Sequence, residues 1–154
     1  MSEIRRILDQ MDRAFSGEAW HGPSLMQLLE GVDAESAATR PIGKAHSIWE
    51  LVNHVTAWNN IVQHRLSGEK VDVTPEMDWP GVWEVNEVGW ERSLENLKEC
   101  RAKLRRAVEL LRDDQLDDRV PGDKESFYVL LHGLVQHDLY HAGQIAILKK
   151  ALEP

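Results

Sequence analysis

Residues 125–152 read ESFYVLLHGLVQHDLYHAGQIAILKKAL. Apolar residues recur there every three or four positions, the period of an amphipathic helix. At about 100° per residue, Leu130, Leu134, Gln144 and Leu148 project within about 60° of His137. His141, four residues on, lies about 40° away on the same face. Two imidazoles therefore sit in the stripe that the helix turns toward its core.

A second helix answers this one. Ser47 and Glu50 have the spacing of a capping box, and the helix they open runs to about Leu66, where Ser67-Gly68 closes it. His54 shares a face with Leu51, Trp58 and Ile61, all within about 60°. His64 lies about 80° from His54, and His132 about 140° from His137, so neither joins the inward set. His46 precedes the capping serine and His21 falls in the first loop. Geometry leaves three inward histidines: His54, His137 and His141.

The remaining chain also reads as helices separated by turn signals, with no convincing period-2 run. A first helix is expected over Ser2 to Phe15, with Ile4, Ile7, Leu8 and Met11 on one face and Gly17 at its end. A short helix follows Gly22-Pro23, where Ser24 and Gln27 form another capping-box pattern. Asp33 to Ala45 reads as a connection, and Glu69 to Gly81 as an irregular loop or short turns. A long helix is expected from Trp83 to Arg112, acidic in its first half and basic in its second, which complements the helix dipole. Asp113 to Lys124, broken by Pro121-Gly122, leads into the last helix. Four long helices and one short one make an all-α four-helix bundle, expected as one domain over residues 1–154.

Composition narrows the function. The chain has 154 residues, 18 Lys and Arg against 26 Asp and Glu, and a formal charge of −8. That balance argues against a general nucleic-acid binder or a polybasic membrane-surface protein. One cysteine, Cys100, excludes an intrachain disulfide framework and a zinc site built on paired cysteines. The N-terminal residues lack the apolar core of a signal peptide, and no apolar stretch is long enough to span a membrane. A reducing cytoplasm is the expected location. Dinucleotide, P-loop, nucleophile-elbow and H-E-x-x-H motifs are all missing.

Three imidazoles inside a bundle need a physical reason, because an unpartnered buried polar nitrogen costs on the order of 1–3 kcal/mol. A divalent metal removes that cost by accepting a lone pair from each ring, and leaves one or two positions for water or substrate. Nitrogen-only ligation suits Zn, Ni, Fe or Cu rather than Mg or Ca. Ferritin-like di-iron sites need Glu-x-x-His motifs, which this chain lacks. A haemerythrin-like use of His46-x-x-x-Glu50 conflicts with the capping role of Glu50. The bland alternative is a set of packed core histidines.

The segment Ala45-His46-Ser47-Ile48-Trp49-Glu50-Leu51-Val52-Asn53-His54-Val55, followed by Trp58, resembles the second helix of DinB/YfiT-like proteins. His137-Asp138-Leu139-Tyr140-His141-Ala142-Gly143-Gln144-Ile145 resembles that family's last helix, and Phe15-Ser16-Gly17 through Trp20-His21-Gly22-Pro23-Ser24-Leu25 resembles one of its branches. The resemblance implies a DinB-like bundle, often a homodimer, with a divalent metal, zinc or nickel first, held by His54, His137 and His141. Some members of the family it resembles are thiol-dependent transferases or isomerases using bacillithiol, mycothiol or glutathione.

The expected function is accordingly metal-dependent transfer of a low-molecular-weight thiol to a small electrophilic substrate. The alternatives are a non-catalytic metal-binding bundle of stress-response or interaction type, and a metal-dependent hydrolase. No general base is identified. Asp138, three residues before His141, is placed to orient that ring, and Gln144 is placed to hydrogen-bond near the ligands or substrate, with Asn53 a weaker candidate. Trp49, Trp58 and Trp90 read as packing, Trp79 and Trp83 as a pocket wall or lid, and Cys100 as a buried structural thiol.

Overall fold

The computed structural model describes residues 2–153, so the expected domain limits Met1 and Pro154 lie outside the described residues. Among the described residues seven α-helices form: α1 Glu3–Phe15, α2 Leu25–Leu29, α3 Ala34–Ala38, α4 Ile48–Leu66, α5 Pro75–Asp78, α6 Glu87–Glu109 and α7 Phe127–Leu152. A 3₁₀ turn, Asp113–Gln115, links α6 to α7. No strand forms among the described residues, and the all-α bundle is as expected.

Local chemistry sets the boundaries. The Ser47 hydroxyl accepts from the Glu50 amide while the Glu50 carboxylate accepts from the Ser47 amide, so the capping box opens α4 as the spacing predicts. Ser126 caps α7 by accepting from the Val129 amide, so the last helix, expected from about Glu125, begins at Phe127. The expected helix from Trp83 to Arg112 is shorter at both ends. Asn86 accepts from the Gly89 amide and starts α6 at Glu87. A Cβ at Gly89 would lie 2.6 Å from the Glu84 carbonyl oxygen, so the tight entry requires glycine there. The connection over 33–45 contains α3, whose cap Asp33 accepts from the Ser36 amide.

The four long helices pack as a ring in which α4 touches α6 and α7, and α1 touches α7 and α6. Trp49 Nε1 near the start of α4 donates to Ser93 Oγ near the start of α6 at 2.8 Å. These two helices therefore run in the same direction, and the long crossover after Leu66 returns the chain to that end. No helix among the described residues is long and apolar enough to cross a membrane.

The core has two apolar halves. One gathers Phe15, Leu25, Ile48, Trp49, Trp90, Leu97 and Ile145, the other Ile7, Met11, Val62, Leu104, Val108 and Leu131. Between them each long helix of the site side contributes polar groups. These are His54 and Asn59 from α4, Arg101 from α6, and Asp138 and His141 from α7, all buried. Polar groups placed in the middle of a bundle cost stability unless they satisfy one another or hold something. That band is where the site lies.

Candidate metal centre

The arithmetic of helix faces holds in three dimensions. His54 and His141 are 5% exposed, and one ring nitrogen from each of His54, His137 and His141 lies within 4.8 Å of the others. His137 Nε2 stands 2.9 Å from His54 Nε2 and 3.1 Å from His141 Nε2. Nitrogens bound tetrahedrally to one zinc at about 2.0–2.1 Å sit roughly 3.3 Å apart, so the three donors are close to ligand spacing. His64 pairs with Glu69, and His132 lies 3.8 Å from Glu3, both away from the cluster as their faces predict.

Two rings are fixed from behind. His54 Nδ1 donates to the backbone carbonyl of Asp78 at 2.6 Å. His141 Nδ1 donates to the Gln144 carboxamide oxygen at 2.6 Å. With both Nδ1 atoms protonated, both Nε2 lone pairs are bare and aimed at a common point. His137 Nδ1 is buried with no partner among the described residues, so that ring is held by packing alone. Three converging nitrogens cannot all be satisfied by one shared proton. The donor set fits a metal ion.

Burial keeps the rings neutral. It is the largest effect on His137, reinforced by His141 and His54 beside it, and pushes that imidazole down to about 3. Burial also lowers His54, against the opposing pull of Asp78, and lowers His141, against Gln144. Neutral imidazole is the form that ligates.

The crossover supplies an aromatic wall. Thr74 caps α5 with Pro75 in its first turn, and the helix delivers Asp78 and Trp79 to the site. Asp78 accepts from Trp58 Nε1 through its carboxylate at 2.8 Å. Trp79 stacks on His54 with ring centroids 3.9 Å apart, and its other face stacks on His46 at 3.6 Å. Trp58 packs against the ring of His137. A cavity of about 180 Å³ opens beside this wall, lined by Ile42, Ala45, His46, Leu51, Gln144, Ile147 and Leu148.

Several expectations are corrected. Asp138 does not orient His141. It is fully buried against Arg101, and that guanidinium also lies over the Phe15 ring at 4.6 Å. Burial pushes the Asp138 carboxyl up, with Arg101 opposing. Trp79 is a wall of the site, but Trp83 is 91% exposed and borders a separate groove between α4 and α6. Asn53 donates to the Gly81 carbonyl at 3.3 Å and tethers the crossover instead of meeting the ligands. Cys100 is half-buried and lines that outer groove, with its thiol pushed up by burial. Sequence reasoning missed His46 and Asp78. The Thr74-Pro75 pair, a cap followed by proline, is the signal that would have placed Asp78 at a short helix's end.

The fold and the site together define an all-α bundle with a buried triple-histidine cluster. The family model described as the DinB superfamily matches residues 19–145. The chain belongs to the DinB superfamily. Comparison with curated proteins and with solved structures gave no match.

Proposed function

We propose that this DinB chain binds a divalent metal, zinc or nickel, at His54, His137 and His141, and uses it to transfer a small thiol to an electrophilic substrate. The observation that carries the reading is the convergence of three neutral Nε2 donors. A metal held there would supply Lewis acidity that favours loss of the thiol proton to solvent at neutral pH. Asp78 and Gln144 set the tautomers of the rings that hold it. Trp58 and Trp79 exclude water from one side. The apolar cavity beside Gln144 and His46 suits the body of a compact substrate.

The test is turnover of a chromogenic electrophile with glutathione, bacillithiol or mycothiol, by metal-loaded and chelator-stripped protein. Activity that disappears on stripping and returns on reloading supports the transferase. Activity that survives complete stripping contradicts it. A second reading, a non-catalytic metal-binding bundle, is favoured by the close packing of Trp79 over His54, and predicts tight metal binding with no turnover of any thiol.

A further inference from the structure

The cavity beside Gln144 and His46 is apolar from its floor to its mouth. Buried Leu51 and Leu148 line it, and so do Ile42 and Ile147, which remain 42% and 60% exposed. An apolar lining that reaches from core to surface marks a ligand groove, unlike single hydrophobic residues scattered over a surface. An apolar cavity of about 150 Å³ takes up one benzene, so this one, at about 180 Å³, has room for roughly seven non-hydrogen atoms. A substituted six-membered ring or a short branched chain fits. A lipid tail does not.

Charge narrows the class further. No Asp, Glu, Lys or Arg lines the cavity. Arg40 is bonded to Glu50, the carboxylate that stands 3.7 Å from His46 Nδ1, so neither offers a free charge to a ligand. An anion would lose its water there and gain no counter-charge. His46 and Gln144 are the polar side chains of the lining, and His46 lies flat against Trp79. The Gln144 oxygen is taken by His141 Nδ1. Its nitrogen bonds no group among the described residues, and a carboxamide nitrogen has two N–H donors and no acceptor. The ligand atom that meets it must therefore accept.

We propose that the cavity binds a small neutral carbonyl compound, its hydrocarbon body against Leu51 and Leu148 and its oxygen accepting from Gln144 Nε2. On the thiol-transfer reading, on which only this assignment of role rests, the compound is the electrophile. One carboxamide then serves two partners: its oxygen orients His141 and its nitrogen orients the ligand. The ligand is thereby held with its polar end on the side of the cavity where His141 stands. Carboxylate and phosphate electrophiles are rejected for want of a cation.

Methyl-resolved NMR titration of the intact chain, with zinc and without, tests this using cyclohexanone, toluene (of similar size, without the oxygen) and benzoate. Cyclohexanone should give saturable shifts of the Ile42, Leu51, Ile147 and Leu148 methyl signals. Toluene should bind roughly fivefold more weakly for lack of the hydrogen bond, and benzoate not at all. Ala45→Leu fills the cavity from the loop before α4 and should abolish the shifts with an unchanged helical circular-dichroism spectrum. Gln144→Glu keeps an acceptor for His141 but loses the N–H donors, so cyclohexanone should lose its advantage over toluene. No saturable shift, equal binding of benzoate, or an advantage that survives in Gln144→Glu would overturn the proposal. Binding is read without any thiol, so a chain that takes cyclohexanone and turns over no electrophile upholds the site and strikes only the transferase reading.

Discussion

The carboxamide oxygen of Gln144 accepts the Nδ1 proton of His141 at 2.6 Å, one turn along the same helix. The contact fixes which nitrogen of His141 faces the cluster, and with it the direction of a lone pair. Outer partners of this kind are typically worth about 10–100-fold in metal affinity. Gln144→Ala should therefore weaken zinc binding about that much in a chelator competition, while Gln144→Glu should retain it because a carboxylate also accepts. Unchanged affinity in Gln144→Ala would show that packing alone orients the ring.

Trp79 couples the crossover to the site by stacking on His54 and His46. Removing a half-buried indole from such a stack should cost about 1–3 kcal/mol, below the full cost of a core tryptophan. Trp79→Ala should lower the unfolding free energy of the metal-free protein by that amount in urea, and Trp79→Phe by less. The histidine ring signals of His54 and His46 in an NMR spectrum should move in both variants, and those of distant His64 should not.

Arg101 and Asp138 join α6 to α7 inside the polar band. Removing one partner of a buried pair leaves the other charged and unsolvated, at about 3–5 kcal/mol. Arg101→Met or Asp138→Leu alone should destabilise by that much, and the double variant by considerably less. A double-mutant cycle in urea reads the difference. Additive losses would mean that the pair is not an energetic unit.

Acid should loosen the α1 end of the bundle. Asp113 accepts from the amides of Ile4 and Glu3 at 3.0 and 2.9 Å, and these bonds hold its carboxyl below the ordinary 3.8. A group depressed on folding contributes stability that is present above its unfolded value and lost as pH falls through its folded one. The melting temperature should therefore fall below about pH 4, and Asp113→Asn should flatten that part of the profile. An identical acid limb in the variant would contradict this assignment.

The sequence made some of this legible and not the rest, for physical reasons. His54, His137 and His141 could be found because face arithmetic needs only helix period, and both helices announce themselves by caps and apolar spacing. Gln144 followed from the same face. Arg101 could not be assigned to Asp138, because 37 residues separate them and a charged helix like α6 reads as solvated until its packing is known. The start of α6 was misplaced because Glu84 continues the acidic spacing, while Asn86 and Gly89 decide the entry by a local hydrogen bond. Helix α3 is five residues long, too short for a period to show. His46 lies ahead of the α4 cap, where no helix face can be computed, and nothing local reveals that Trp79 returns from the crossover to stack on it.

The central claim is that three histidines, chosen by face, hold one metal ion. The most direct measurement is metal content by elemental mass spectrometry on tag-free protein, comparing wild type with His137→Ala and His132→Ala. The account predicts about one zinc or nickel per chain in wild type and in His132→Ala, and none retained by His137→Ala after dialysis. Equal retention in the two variants, or a wild type that holds no metal after incubation and dialysis, would contradict it.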